Sequence, residues 1–250
     1  MRIVIVTQDD PLVTAEFFRV FLPRIQAPHS TAAVIGLPGF SEPLPARIRR
    51  FARLYGFFGT TKAAWRYLIA KLLGGGVREL CRRHGVEFVN FGGSVKSADF
   101  RNLLHSYEPD LLVSVSSPQI FGSKVLGIPG LGAVNLHSAP LPRYAGMLPS
   151  FWILLNGEKQ TAVTLHYMDE QVDAGPIIAQ QSFDIPESTT QFELMRMTKR
   201  LGAELLLSQL DAIAAGTAEA RAMPEKEATC FGFPTAEDVR RFRKLGKKLI

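Results

Sequence analysis

Only two cysteines, Cys81 and Cys230, occur in the 250 residues. That excludes a multi-disulfide scaffold and a cysteine-built zinc site, and it suits a reducing compartment. No run of about 18 uncharged apolar residues is present, so no spanning helix is expected. The opening MRIVIVTQDDP has too short an apolar run for a secretory leader and no small-residue cleavage site, so a cytoplasmic location is expected. Three catalytic signatures are also missing. Thr7-Gln8-Asp9-Asp10 follows the first apolar run, where a Gly-x-Gly-x-x-Gly turn would hold a dinucleotide. Neither a Gly-x-x-x-x-Gly-Lys-Ser/Thr loop nor a Gly-x-Ser-x-Gly elbow occurs, which argues against an ATPase and an ordinary α/β-hydrolase.

The composition is that of a globular chain, with 46% hydrophobic and 21% charged residues. The formal net charge is +6, and it is localised. Ten Lys/Arg and one acid lie between Ala46 and Arg83, so the remainder of the chain sums to −3. Basicity confined to one segment attracts anionic partners such as nucleotide phosphates, RNA or an acidic lipid surface, or else marks a solvated helix face.

Apolar runs and periodicity predict strands at Arg2–Thr7, Thr31–Leu37, Val86–Asn90, Leu111–Val115, Ala133–Leu136, Thr161–Tyr167 and Ile177–Phe183. Helices are predicted at Leu12–Ile25, Pro45–Leu54, Thr61–Leu73, Val77–Gly85, Asp99–His105, Gln119–Leu126, Phe151–Asn156, Gln191–Ala214 and Ala236–Leu249, with a break at Tyr55–Gly59. Strands alternating with helices predict an α/β fold, a mostly parallel twisted sheet with helices on both faces. Ligands in such sheets bind beyond the carboxyl ends of the strands.

Asn135-Leu136-His137 closes a strand, and its two polar side chains share a face. A Pro-rich loop follows. Asp173 then stands in a Gly-bounded loop and is able to hold an imidazole. A neutral donor, an acid/base and an orienting carboxylate make a workable group-transfer site.

From Pro109 to Gln180 the chain resembles the formyltetrahydrofolate-dependent formyltransferase family. The resemblance rests on Pro109-Asp110-Leu111-Leu112-Val113, Asn135-Leu136-His137, Leu141-Pro142-Arg143-Tyr144-Ala145-Gly146, Asn156-Gly157-Glu158, Val163 to Asp169, and Val172-Asp173-Ala174-Gly175. It implies a Rossmann-like formyltransferase domain over residues 1–215, with a basic helical insertion at about 43–84 and a tail at 216–250. It implies catalytic roles for Asn135, His137 and Asp173, and formyl-tetrahydrofolate as cosubstrate. The folate would lie against Pro118, Gln119, Ile120 and Phe121 and against Asp169, Glu170, Gln171, Val172 and Asp173. No metal is implied. One departure is Ala139, where many members carry a serine. His166 reads as a structural or rim residue.

For the acceptor, the resemblance leaves alternatives. Methionyl-tRNA formyltransferases carry a C-terminal barrel, which the 35 or so residues after Ala215 are too few to form. Glycinamide ribonucleotide formyltransferases lack a segment like Ala46–Arg83 and place a Gly-rich turn in the first loop. A primary amine on a nucleotide-linked amino sugar is therefore expected. Initiator tRNA, a lipid-linked amine and an inactive binding protein remain as alternatives. So do three roles for Ala46–Arg83: a packed helical pair, arginines on a diphosphate, or contact with an anionic membrane. A homodimer is left open.

Overall fold

A computed structural model describes residues 1–39 and 44–250. The start of the expected insertion at residue 43 lies outside them. Seven strands form one sheet: β1 (Arg2–Gln8), β2 (Ser30–Leu37), β3 (Glu87–Asn90), β4 (Leu111–Ser114), β5 (Ala133–His137), β7 (Gln160–Tyr167) and β8 (Ile177–Asp184). Their order is β3-β2-β1-β4-β5-β7-β8. The first five run parallel, and β7 and β8 pair antiparallel. This is the mostly parallel α/β sheet expected from the sequence.

Alternation along each strand explains the layering. Ile3 and Ile5 of β1 and Val113 of β4 point into one apolar layer. It is built with α1 (Thr14–Phe21), α3 (Val77–Arg83) and α7 (Gln191–Ala214) through Phe17, Phe18, Leu80, Leu205 and Leu206. Val4, Val6 and Leu112 point the other way, against Phe100 and Leu104 of α4 (Ala98–Ser106) and Val125 of α5 (Ser123–Leu126). Period-2 side chains buried on both sides are what a doubly covered sheet requires.

The acidic pair after β1 caps two helices. Asp10 accepts from the backbone N–H groups of Val13 and Thr14 at 2.9 and 3.0 Å, at the start of α1. Asp9 accepts from Val77 N–H at 2.9 Å, at the start of α3, some seventy residues away in sequence. Carboxylates at helix N-termini satisfy otherwise unpaired donors. Glu16 of α1 is buried and takes Arg196 and Arg200 of α7 at 2.6 and 2.5 Å. Those guanidinium contacts outweigh its burial and hold its carboxyl below the usual range.

Helix α2 spans Leu44–Leu72, with a break at Gly56 (φ 71°, ψ 177°) inside the expected Tyr55–Gly59 interruption. A left-handed φ there favours glycine. Elsewhere the structure corrects the expected boundaries. The helix expected over Gln119–Leu126 begins only at Ser123, because the Gln119 side chain is drawn to Val95 N–H and Gly93 C=O. The C-terminal helix α8 is Ala236–Lys244 and stops short of Leu249. The segment before it is not only turns. Its short strand β9 (Cys230–Phe231) pairs with β6 (Ala145–Gly146), which lies in the loop after His137.

The tail therefore packs on the domain. Phe242 of α8 stacks on Phe151 of α6 (Pro149–Leu155) with ring centroids 4.6 Å apart, in a third apolar layer with Leu54, Val239 and Leu249. Phe242→Ala is expected to lower stability by about 3–5 kcal/mol. A urea midpoint shift checks this, and an unchanged midpoint would mean the tail does not hold the fold.

Candidate active site

Asn135 and His137 sit on β5 with the parity of Ala133, away from the α1/α3/α7 layer. At β5 the sheet changes from parallel to antiparallel. The antiparallel register sets Asn135 directly opposite His166 of β7. Three of the polar side chains thus arrive on one face from two adjacent strands.

Asp173 completes the cluster from the loop after β7. Its side chain is only 9% exposed. Oδ2 accepts from the Gly146 N–H at 2.9 Å and lies 3.3 Å from His137 Nδ1. Oδ1 accepts from Asn135 Nδ2 at 3.5 Å and lies 3.7 Å from His166 Nε2. The structure thereby brings together Asn135, His137 and Asp173, and it adds His166.

Each histidine has a defined role in this network. His137 Nε2 donates to the Tyr144 carbonyl at 2.8 Å, which leaves Nδ1 to face the carboxylate. A doubly protonated ring donates to both. His166 Nδ1 donates to the Tyr167 carbonyl at 2.8 Å, so its Nε2 lone pair accepts from Asn135 Nδ2 at 3.1 Å. Burial pushes His166 down to about 4, against a partial opposing pull from Asp173. It is neutral at pH 7 and is no rim residue. Alternation along β7 was the available signal, since it places His166 on the face of Thr164.

The loops are shaped to this cluster. Tyr144 (φ 63°), Leu148 (φ 49°) and Asp173 (φ 54°) are non-glycine residues in the left-handed region. Such conformations persist where surrounding contacts enforce them, and they gather at functional sites. Gly175 has no freedom to be larger, because a Cβ there would stand 2.0 Å from the Tyr167 carbonyl oxygen. The Asn156-Gly157-Glu158 motif holds Tyr144: its hydroxyl donates to Glu158 at 2.7 Å and accepts from Asn156 at 3.2 Å. Burial, then the Glu158 contact, raise the Tyr144 phenol above its ordinary value. The tail contributes too. Ala145 N–H donates to Thr229 C=O at 2.9 Å and Met147 N–H to Phe231 C=O at 2.8 Å. Ala139 is fully buried, with its methyl in the third apolar layer, so its side chain takes no part in the site.

Of the two segments expected at the folate, each is anchored near the same apolar layer. Phe121 is buried in the same apolar layer against which Met168 packs. Glu170 faces Lys96, Arg101 and Gly122–Val125 across an open cleft of about 220 Å³. Ile120 and Val172 are exposed. Gln119 is spent on Val95 and Gly93 as described above. A larger cleft of about 610 Å³ is lined by Arg49, Arg50 and Arg53 of α2, by Met147, and by Phe233–Ala236. Lys199 of α7 is a further residue that sequence reasoning passed over. Its Nζ donates to Ser138 Oγ at 3.3 Å, and burial pulls it down to about 8. No motif marks it, since it occupies an ordinary position in an amphipathic helix.

The buried neutral His166 carries a pH signature. Its folded value of about 4 lies below the ordinary 6.5, so the unfolded chain takes up the extra proton first as pH falls. Stability from this group is complete above pH 6.5 and is lost between 6.5 and about 4. In His166→Gln the urea midpoint is expected to change less steeply with pH across that window. An identical slope in both proteins would refute the assignment.

Comparisons with known proteins bear on the family and the fold. The family model described as formyl transferase matches residues 86–210, half of the chain. Methionyl-tRNA formyltransferase from Acetivibrio thermocellus is 33% identical over 153 residues, covering 61% of this chain and 49% of that protein. The chain thus spans about half the length of that relative. Among solved structures, glycinamide ribonucleotide transformylase 1 from Symbiobacterium toebii superposes with a TM-score of 0.62 at 18% identity, covering 90% of this chain and 94% of that one. An N-formyltransferase from Helicobacter canadensis, solved with folinic acid and dTDP-3-aminofucose, gives 0.60 at 15% identity, covering 96% and 79%. At these identities the structural likenesses show a shared fold. With half of its length matched by the family model, the chain belongs to the formyl transferase family.

Proposed function

We propose that this chain transfers a formyl group from formyl-tetrahydrofolate to a primary amine carried on a nucleotide-linked sugar. The observation that carries the transfer reading is the Asp173 carboxylate, which touches His137 and Asn135 together. Formyl-tetrahydrofolate, when bound, supplies the formyl carbon. Support for it comes from Phe121 and Met168, which share one apolar layer and anchor the ends of the Pro118–Phe121 and 169–173 segments.

The side chains divide the work by their chemistry. Asn135 spends one N–H on His166 at 3.1 Å. The other reaches Asp173 at only 3.5 Å, so it is the donor left for an oxygen that gains negative charge. Neutral His166 orients that amide and is a positioning residue. His137, held between Tyr144 C=O and Asp173, stabilises the same charge when protonated. The Asp173 carboxylate, 3.3 Å from Nδ1, orients the His137 ring. As the amine bonds to the formyl carbon it would shed a proton, the bond from that carbon to the folate nitrogen would break and that nitrogen would take a proton up; the His137–Asp173 pair is the couple in the cluster suited to carry it.

The larger cleft supports the acceptor reading. Three arginines at its wall offer forked donors that match a diphosphate. Met147, at the same wall, is one residue from Gly146, whose N–H holds Asp173. The Helicobacter canadensis enzyme, solved with a dTDP-sugar, supports this reading. Initiator tRNA is the second reading, favoured by the identity to the Acetivibrio methionyl-tRNA formyltransferase.

The test is formyl transfer from formyl-tetrahydrofolate to 3-amino and 4-amino nucleotide sugars, glycinamide ribonucleotide and charged initiator tRNA, read by mass. A formylated sugar is expected, with His137→Ala and Asp173→Asn slower by about a hundredfold to ten-thousandfold. Formylation of tRNA alone would replace the sugar reading. No turnover with any acceptor would support a binding protein instead. Arg49→Ala combined with Arg53→Ala is expected to raise KM for the nucleotide sugar by about tenfold or more with kcat little changed. An unchanged KM would remove the arginines from the acceptor site.

A further inference from the structure

The break at Gly56 gives α2 two different halves. The first half lines the arginine cleft and buries Leu54 in the third apolar layer. The second half rides on the surface. Beyond the break, Gly59, Thr60, Ala63 and Ala70 are the half-buried positions, all on one side of the helix. The opposite side carries Trp65, Leu68, Ile69 and Leu72, at spacings of three, four and seven residues, and the chain continues into Leu73. These side chains face water, with Trp65 64% and Leu72 77% exposed. Scattered exposed apolar residues are ordinary, but a contiguous stripe marks a contact surface.

The charges along this helix are of one sign, although Glu193 of α7 lies near enough to feel Arg66. Residues 44–73 contain seven Lys/Arg and no Asp or Glu. At 100° per residue, Lys62 and Arg66 border the stripe on one flank and Lys71 borders it on the other. Arg66 leans over the Phe192 ring of α7 at 5.5 Å, which ties this flank to the domain. Among the described residues no helix is long and apolar enough to cross a membrane.

We propose that the second half of α2 docks this chain on an anionic lipid surface, lying in the plane of the headgroups. An apolar stripe flanked by cations is the pattern of a helix at that interface. Trp is the side chain most at home there, and long Lys and Arg stems reach outward to acidic headgroups. A continuous excess of positive charge with no acid complements a surface of uniform negative charge. The membrane contact then belongs to residues 58–73 rather than to Arg49, Arg50 and Arg53, which face the cleft.

The experiment is flotation of the full chain with vesicles of phosphatidylcholine, and of phosphatidylcholine mixed equally with phosphatidylglycerol. Binding is expected only to the mixed vesicles, weakening as salt rises, with a blue shift of Trp65 emission that Trp65→Phe removes. Lys62→Glu combined with Lys71→Glu is expected to weaken binding by about tenfold or more. Leu72→Ser is expected to weaken it while leaving the urea midpoint of the exposed site unchanged. No binding to mixed vesicles overturns the proposal. So does binding that survives both sets of substitutions. A self-associated species that Leu72→Ser disperses, without vesicle binding, would show that a second copy covers the stripe and would also overturn it. Formyl transfer to a soluble acceptor is read separately, so failure here leaves the catalytic reading standing.

Discussion

A carboxylate that is 9% exposed needs donors around it, and much of this structure supplies them to Asp173. One donor is the backbone N–H of Gly146, one is the amide of Asn135, and the imidazole of His137 stands beside them. The three come from a loop and from β5, and the acid comes from a loop some thirty residues further on. Keeping them together requires that both loops be held in conformations that short peptides avoid. The left-handed φ of Tyr144, Leu148 and Asp173 is the visible cost of that arrangement.

The supports for those loops come from distant parts of the chain. β9 pairs with β6, and Thr229 and Phe231 take backbone donors from the 145–147 stretch. Phe231 stacks on Tyr144 and on Trp152, with centroids 5.5 and 4.7 Å apart. On the opposite side of the same loop, Thr164 donates to Ala139 C=O at 2.6 Å, and Gln180 donates to Leu141 C=O at 2.6 Å. The C-terminal tail and the antiparallel edge of the sheet thus clamp one segment from two sides.

The sheet decides where the cluster stands. Helices α1, α3 and α7 cover one face entirely, and α4 and α5 cover the other beneath β1 and β4. Beyond β4 the second face is left to Asn135, His137, Thr164 and His166, where polar side chains find each other instead of an apolar helix. Two open clefts reach the loops that carry the cluster's supports, one at Glu170 with Lys96 and the other at Met147 with the arginines of α2. Helix α2 serves the cleft with its first half and presents its apolar stripe with its second, because Gly56 turns the chain between them.

Much of this was legible in the sequence because it is local or periodic. Strand alternation, the helix start after Asp10, the break near Gly56 and the Asn135–His137 pairing on one face all follow from spacing alone. The linked motifs from Pro109 to Gln180 named the Asn135, His137 and Asp173 set. What spacing does not contain is register and return. Nothing in the order of residues says that Asn135 sits opposite His166, that Asp9 caps a helix starting at Val77, or that Cys230 and Phe231 come back to β6. Those are contacts between segments far apart in the chain, chosen by how whole layers bury their apolar faces. The sequence by itself determined the elements and the chemistry they carry. Tertiary packing alone decided that a histidine read as structural or rim would be buried and hydrogen-bonded to Asn135, since burial and a cross-strand neighbour exist only once the sheet has formed.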